Sequence, residues 1–339
     1  SKSLIEQFHQ KDIINKLIFK PNLHHELIQQ FSLFLSKLFN CGFYENSIIE
    51  LLWSKSFEKT EGLEDYFKGW PTIQSSIPQK NQKFFWNLVL TKTPSFSSPF
   101  VRDFLIQIAA SCSEKDKISM TDLLYKSAMN SEDSESFVEI IHEYIPEDNE
   151  FRSQFKKKCF SLFDSDEGEN KHMFALKLLL KIWKNVNENQ TEEDFDFLLK
   201  KCKLTIENAS TFLTLLSSIA SNFIHQFTEE EIELIKGQIV DVISVNSMCV
   251  FNFIQKLLSI QKGQLFSPEL TFSLFEWMTK LPSVDPVIFK LIRYLYEMIL
   301  SFSKHKNPDD GDTTDYLSKS IESLWDLLYR SDIPDVADF

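Results

Sequence analysis

The chain has 339 residues, 43% hydrophobic and 25% charged, an ordinary globular composition with ample material for a core. Its 7 glycines fall far below the roughly two dozen of average usage, which argues against phosphate-cradling loops, nucleophile elbows and tight hairpins. A formal net charge of −13 repels nucleic acid unless a basic patch is segregated.

In chain order, the first segment, "SKSLIEQFHQKDIINKLIF", is amphipathic with scattered charges. It has neither the apolar core nor the small-residue cleavage site of a signal peptide. Next, 23–39 places Leu27, Phe31, Phe34, Leu35 and Leu38 on one predicted helical face. Helical periodicity then continues almost to the end, broken by short polar connectors at 93–99, 130–136, 146–150, 164–170, 187–191, 262–268, 281–286 and 304–315. The segment "HMFALKLLLKIWKNV" (172–186) is apolar nearly all round, with Lys177, Lys181 and Lys184 drawing one polar stripe. Such a helix belongs where neighbours enclose it on most sides.

Helix starts are marked further along. Thr191 precedes Asp194 by three residues and Thr228 precedes Glu231 by three, both capping-box spacings. Ser267-Pro268 and Asp285-Pro286 put a capping residue before a proline at the first helical position. Helices are expected over 208–224, 229–243, 248–260 and 287–302. The best strand candidate, "VDVISV" (240–245), runs on from a helical pattern without a turn. About 16 or 17 helices joined by short loops predict antiparallel hairpins stacked as a degenerate HEAT- or armadillo-like α-solenoid. The chain is read as one elongated array over 1–339, with any subdomain break near 130–170. The stretches ending at Trp53, Trp183, Trp277 and Trp325 echo one another and are read as packing between repeats, with a partner-binding aromatic platform as the alternative.

Catalytic and metal-binding patterns fail on spacing. His25-Glu26 lacks the second zinc-ligating histidine, because Gln29 stands there, and His142-Glu143 meets Pro146. "DSDEGEN" and "PDDGDTTD" do not have EF-hand spacing. The basic clusters Lys156–Lys158 and Lys200-Lys201-Cys202-Lys203 each end a predicted helix, where cations complement the dipole. Cys41, Cys112, Cys159, Cys202 and Cys249 are odd in number and form no CxxC pair. They are read as reduced, mostly buried thiols of an intracellular protein. Cys41 precedes Gly42 at a helix end, whereas a nucleophilic cysteine commonly begins a helix. No catalytic, cofactor-binding or metal-ligating residue is assigned and no cofactor is expected. No run of about 18 apolar residues suggests a membrane span.

Leu324-Trp325-Asp326-Leu327 followed by Asp332-Ile333-Pro334 resembles the helical region of giant ubiquitin-specific proteases of the fat-facets type. There a helix ending Leu-Trp-Asn-Leu meets an Asp-Val-Pro-type turn. The stretch 48–67 is similar to the family's Ile-Trp segment, with Phe57-Glu58-Lys59-Thr60 where Gly-Lys-His would fall. The resemblance implies an armadillo-like region flanking a separate papain-like domain. That domain's Gly-Asn-Thr-Cys-Tyr box is missing here, so no catalytic residue carries over. It further implies a fragment of a longer chain, left with an open face at Trp325, Leu328 and Ile333. The expected function is a non-catalytic scaffold for protein partners, ubiquitinated substrates or adaptors, in the cytoplasm, with nuclear residence open. A karyopherin-like or adaptor solenoid is the alternative, and a helical enzyme the rival of another class.

Overall fold

The computed structural model describes residues 25–42, 44–57, 63–164, 168–184, 191–222, 226–260, 265–304 and 312–330. The amphipathic segment at the start, most of the 304–315 connector and Ile333 lie outside the described residues, as do the side chains of Trp183 and Lys184. Regular structure among the described residues is helical, with no strand. The chain divides into two compact units, 1–156 and 157–339.

The first unit contains α1 (His25–Asn40), α2 (Asn46–Ser56), α3 (Leu63–Ser75), α4 (Gln82–Lys92), α5 (Pro99–Ile108), α6 (Glu114–Met129) and α7 (Val138–Tyr144). The division falls within α8 (Asn149–Ser161). The second unit contains α9 (Glu169–Lys184), α10 (Glu192–Lys201), α11 (Ala209–Ala220), α12 (Glu229–Ile239), α13 (Ser247–Ser259), α14 (Pro268–Thr279), α15 (Pro286–Lys304) and α16 (Asp312–Arg330).

Packing follows a rule of alternation. In the first unit α1, α3, α5 and α7 lie side by side in succession, and α2, α4 and α6 do the same. In the second unit α9, α11, α13 and α15 make one row, and α10, α12, α14 and α16 make the other. Within each row a helix therefore meets the helix two places on, which is the contact pattern of stacked helical hairpins. The fold is all-α and solenoid-like within each unit.

The helix starts form as their sequences dictate. The Thr191 and Asp194 backbone N–H groups donate to the Asp194 carboxylate and the Thr191 hydroxyl at 2.9 and 3.3 Å. Thr228 and Glu231 repeat the exchange at 2.6 and 3.2 Å. The Ser267 hydroxyl accepts from the Leu270 N–H beside Pro268. Asp285 accepts from the N–H groups of Val287 and Ile288, both at 2.8 Å. The 240–245 stretch is not a strand: Ile243 N–H bonds to Ile239 O and Asn246 N–H to Val242 O, continuing helical turns past α12.

Helix α9 is enclosed as its composition predicts. Phe174, Ala175, Leu176, Leu178, Leu179 and Ile182 are buried, while Lys177 and Lys181 are half-exposed. Helix α1 departs from its predicted face. Ser32, Leu35 and Phe39 are buried, whereas Leu27 and Phe34 are exposed. The cause is Gly69 of α3, where any Cβ would collide with the Ser32 side chain. This small-on-small contact draws the two backbones together and turns α1 until Ser32, rather than Leu27 and Phe34, faces α3.

The first unit is cored by aromatic rings. Trp53 has ring neighbours Phe57, Phe67, Trp70, Phe85 and Phe104 at 5.1–6.0 Å between centroids. Most meet it edge to face, the geometry favoured by ring quadrupoles. The Trp70 indole N–H donates to the Ser56 hydroxyl at 3.1 Å, and that hydroxyl donates on to Leu52 O.

Long-range polar contacts join one helix to the next in its row. The Tyr144 hydroxyl of α7 donates to Leu105 O in the last turn of α5 at 2.7 Å. The Gln238 amide of α12 donates to Leu199 O and Cys202 O at the end of α10, and its oxygen accepts from Leu204 N–H. The Arg330 guanidinium of α16 donates to Thr279 O at the end of α14. In all three cases the terminal carbonyls that a helix cannot satisfy internally are capped by the helix two places later.

Candidate functional site

The motifs that suggest chemistry are dispersed. Cys41 is exposed just after α1, and Gly42 follows it with a φ of +85°, the left-handed residue that ends a helix. His142 lies 3.5 Å from its neighbour Glu143. His172 is half-buried at 3.1 Å from Leu162 O and against the Phe163 ring. No three metal-ligating side chains come together among the described residues.

Burial governs the thiols. Cys112, Cys159 and Cys202 are all buried, and loss of hydration pushes each thiol up to about 12. A thiolate is the nucleophilic form, so these three are chemically quiet near neutrality. The basic clusters lie along helix ends. Lys201 pairs with Asp164 at 2.8 Å, and Lys200 with Asp196 and Glu230 at 3.4 and 3.7 Å.

Two surface features stand out among the described residues. The first is a shallow groove of about 120 Å³ between α11 and α13. Ser210, Thr214 and Ser217 line one wall, and Cys249, Asn252 and Lys256 the other. Its volume is well under the roughly 300–1,000 Å³ of small-molecule sites, and Leu213 and Phe253 add apolar surface to its lining.

The second is the outer face of α16. Ser320 and Leu327 are buried, the Tyr316 ring lies tilted against Phe272 of α14 at 5.1 Å, and Arg330 reaches Thr279 O. Turned away from these contacts, Ile321, Trp325, Leu328 and Tyr329 are 42, 56, 38 and 83% exposed. The Trp325 and Tyr329 rings lie 6.4 Å apart. Their spacing of four, three and one residues makes one continuous stripe. Packing between repeats therefore describes Trp53 but not Trp325, since the helix that buries Leu327 leaves the indole on its opposite side. Sequence periodicity points to Trp325 and Leu328; Ile321 and Tyr329 were missed, although each stands four residues from Trp325.

No helix among the described residues is long and apolar enough to cross a membrane. The architecture places the chain among all-α, repeat-like proteins. In comparisons with known proteins, no family model matches it and no curated protein matches it.

Proposed function

We propose that the chain is a non-catalytic protein-interaction scaffold, a segment of a large deubiquitinating cysteine protease that positions substrate or partner proteins in the cytoplasm. The observation that carries the scaffold reading is the alternate-helix stacking within each unit, an architecture that presents extended surface. The ubiquitin part rests on the resemblance of Leu324-Trp325-Asp326-Leu327 and 48–67 to fat-facets-type proteases.

Incubation with ubiquitin carrying a fluorogenic C-terminal amide tests the non-catalytic part. Release no faster than in buffer is expected. Turnover that disappears when the accessible Cys41 and Cys249 are alkylated would overturn it. Sequencing the surrounding gene tests the other part: a Gly-Asn-Thr-Cys-Tyr box in the same reading frame supports it, and a frame without one leaves an adaptor unrelated to ubiquitin.

A further inference from the structure

We propose that the Ile321–Trp325–Leu328–Tyr329 face of α16 docks an amphipathic helix of a partner protein, one whose apolar side is bordered by lysine or arginine. The inference rests on the scaffold reading and adds the chemistry of the partner. The stripe covers about two turns of helix, and its two aromatic residues are of the kind that dominates binding energy at protein interfaces. An apolar helix laid along such a stripe is a recurring mode of recognition, anchored at the same i, i+4, i+7 spacing.

Charge identifies the occupant. Glu322 and Asp326 lie along one edge of the stripe, both exposed and neither in an ion pair among the described residues. The cations on that edge are both engaged: Lys319 pairs with Asp315 at 2.7 Å, and the Arg330 guanidinium donates to the Asp326 and Thr279 carbonyl oxygens. The opposite edge is formed by the half-buried Leu317 and Leu324. A docked helix therefore meets hydrocarbon on one side and, on the other, an edge where Asp315, Glu322 and Asp326 outnumber Lys319 and Arg330 and leave net negative charge. A second copy is a poor occupant, because antiparallel pairing of two α16 faces would bring the Glu322–Asp326 edge against itself. Residues 331–339 are also poorly suited, with three aspartates and no cation. Charges at the rim of an interface contribute more to partner choice and encounter rate than to raw affinity, so the signature is discrimination between partners.

The test uses two synthetic peptides of about 18 residues, long enough to hold helix. Both have leucine at i, i+3, i+4 and i+7; one is flanked by lysine and the other by glutamate. Binding is read from the anisotropy of labelled peptide. The lysine peptide is expected to bind saturably, about tenfold more tightly than the glutamate peptide at low salt, with the difference shrinking as salt is raised. Trp325→Ser should abolish binding while leaving the circular dichroism unchanged, since the indole is on the surface. The double change Glu322→Lys, Asp326→Lys should reverse the preference. Equal binding of the two peptides, or binding indifferent to Trp325→Ser, overturns the proposal. So does a concentration-dependent dimer in sedimentation that Trp325→Ser dissolves, which would make a second copy the occupant. Hydrolysis of the ubiquitin amide defeats the scaffold reading by a separate readout.

Discussion

Trp53 is fully buried with an aromatic ring on almost every side, and its truncation leaves a cavity the neighbours cannot collapse to fill. Trp53→Ala is expected to cost about 3–5 kcal/mol, the range for large core aromatics. Trp325→Ala should change stability by within about 0.5 kcal/mol, as exposed sites do. Denaturant midpoints measure both, and comparable losses would mean that Trp325 is covered. The thiols make a second residue-level test. Burial raises Cys112, Cys159 and Cys202 from an ordinary 9.0 to about 12. A group raised in this way keeps its proton in the folded chain after the unfolded chain has lost it. Stability is thus unaffected below roughly pH 9 and falls between there and pH 12, by about 1.4 kcal/mol per thiol per pH unit. Urea midpoints at pH 7 and pH 10.5 should show the decline, and Cys202→Ser should lessen it. At pH 7.5, alkylation should reach Cys41 and Cys249 in the native protein and the other three only after unfolding.

Among the elements, the helix starts could be read from sequence because each is decided within four residues. Thr191 and Asp194 need nothing beyond each other, and Asp285 needs only the two N–H groups that follow. Helix ends are different. Leu199 and Cys202 end α10 with carbonyls satisfied by Gln238, 39 and 36 residues away, and no local pattern announces such a partner. The orientation of α1 was hidden for the same reason. Leu27 and Phe34 look like core residues until Gly69, distant in sequence, meets Ser32. Gly69→Ala should therefore destabilise by about 1–3 kcal/mol despite improving helix propensity, because the added methyl overpacks the crossing. Gln238→Ala strips three partners at once and should cost about 1–3 kcal/mol. Lys200→Ala, which removes exposed ion pairs at the same helix end, should leave stability nearly unchanged. Thermal or chemical denaturation separates these cases, and an inert Gln238→Ala would mean that water replaces its amide without loss. The α16 stripe was half legible, since periodicity finds its apolar residues but burial alone shows which of them are covered.

For the whole molecule, far-UV circular dichroism should be dominated by helix, and a strand content near the globular 20–25% would contradict the architecture. Within each unit a helix packs on its neighbours in the row, and several also pack on the adjacent helix, so damage at one helix is expected to loosen the nearest helices first. Hydrogen exchange on Gln238→Ala should accordingly rise in α10 and α12 before it rises in α15. The three end-capping contacts share a direction: Tyr144, Gln238 and Arg330 all come later in the chain than the carbonyls they cover. A chain leaving the ribosome makes the acceptor first and must wait for its donor. For Gln238 the wait is 39 residues, roughly 2–8 s at ordinary elongation rates. During synthesis the most recent two helices in this part of the array are therefore unfinished, a moving edge with bare carbonyls that advances only as translation does. A pause in translation between residues 202 and 238 would hold that edge open, and is the interval in which a nascent chain of this design most needs a chaperone.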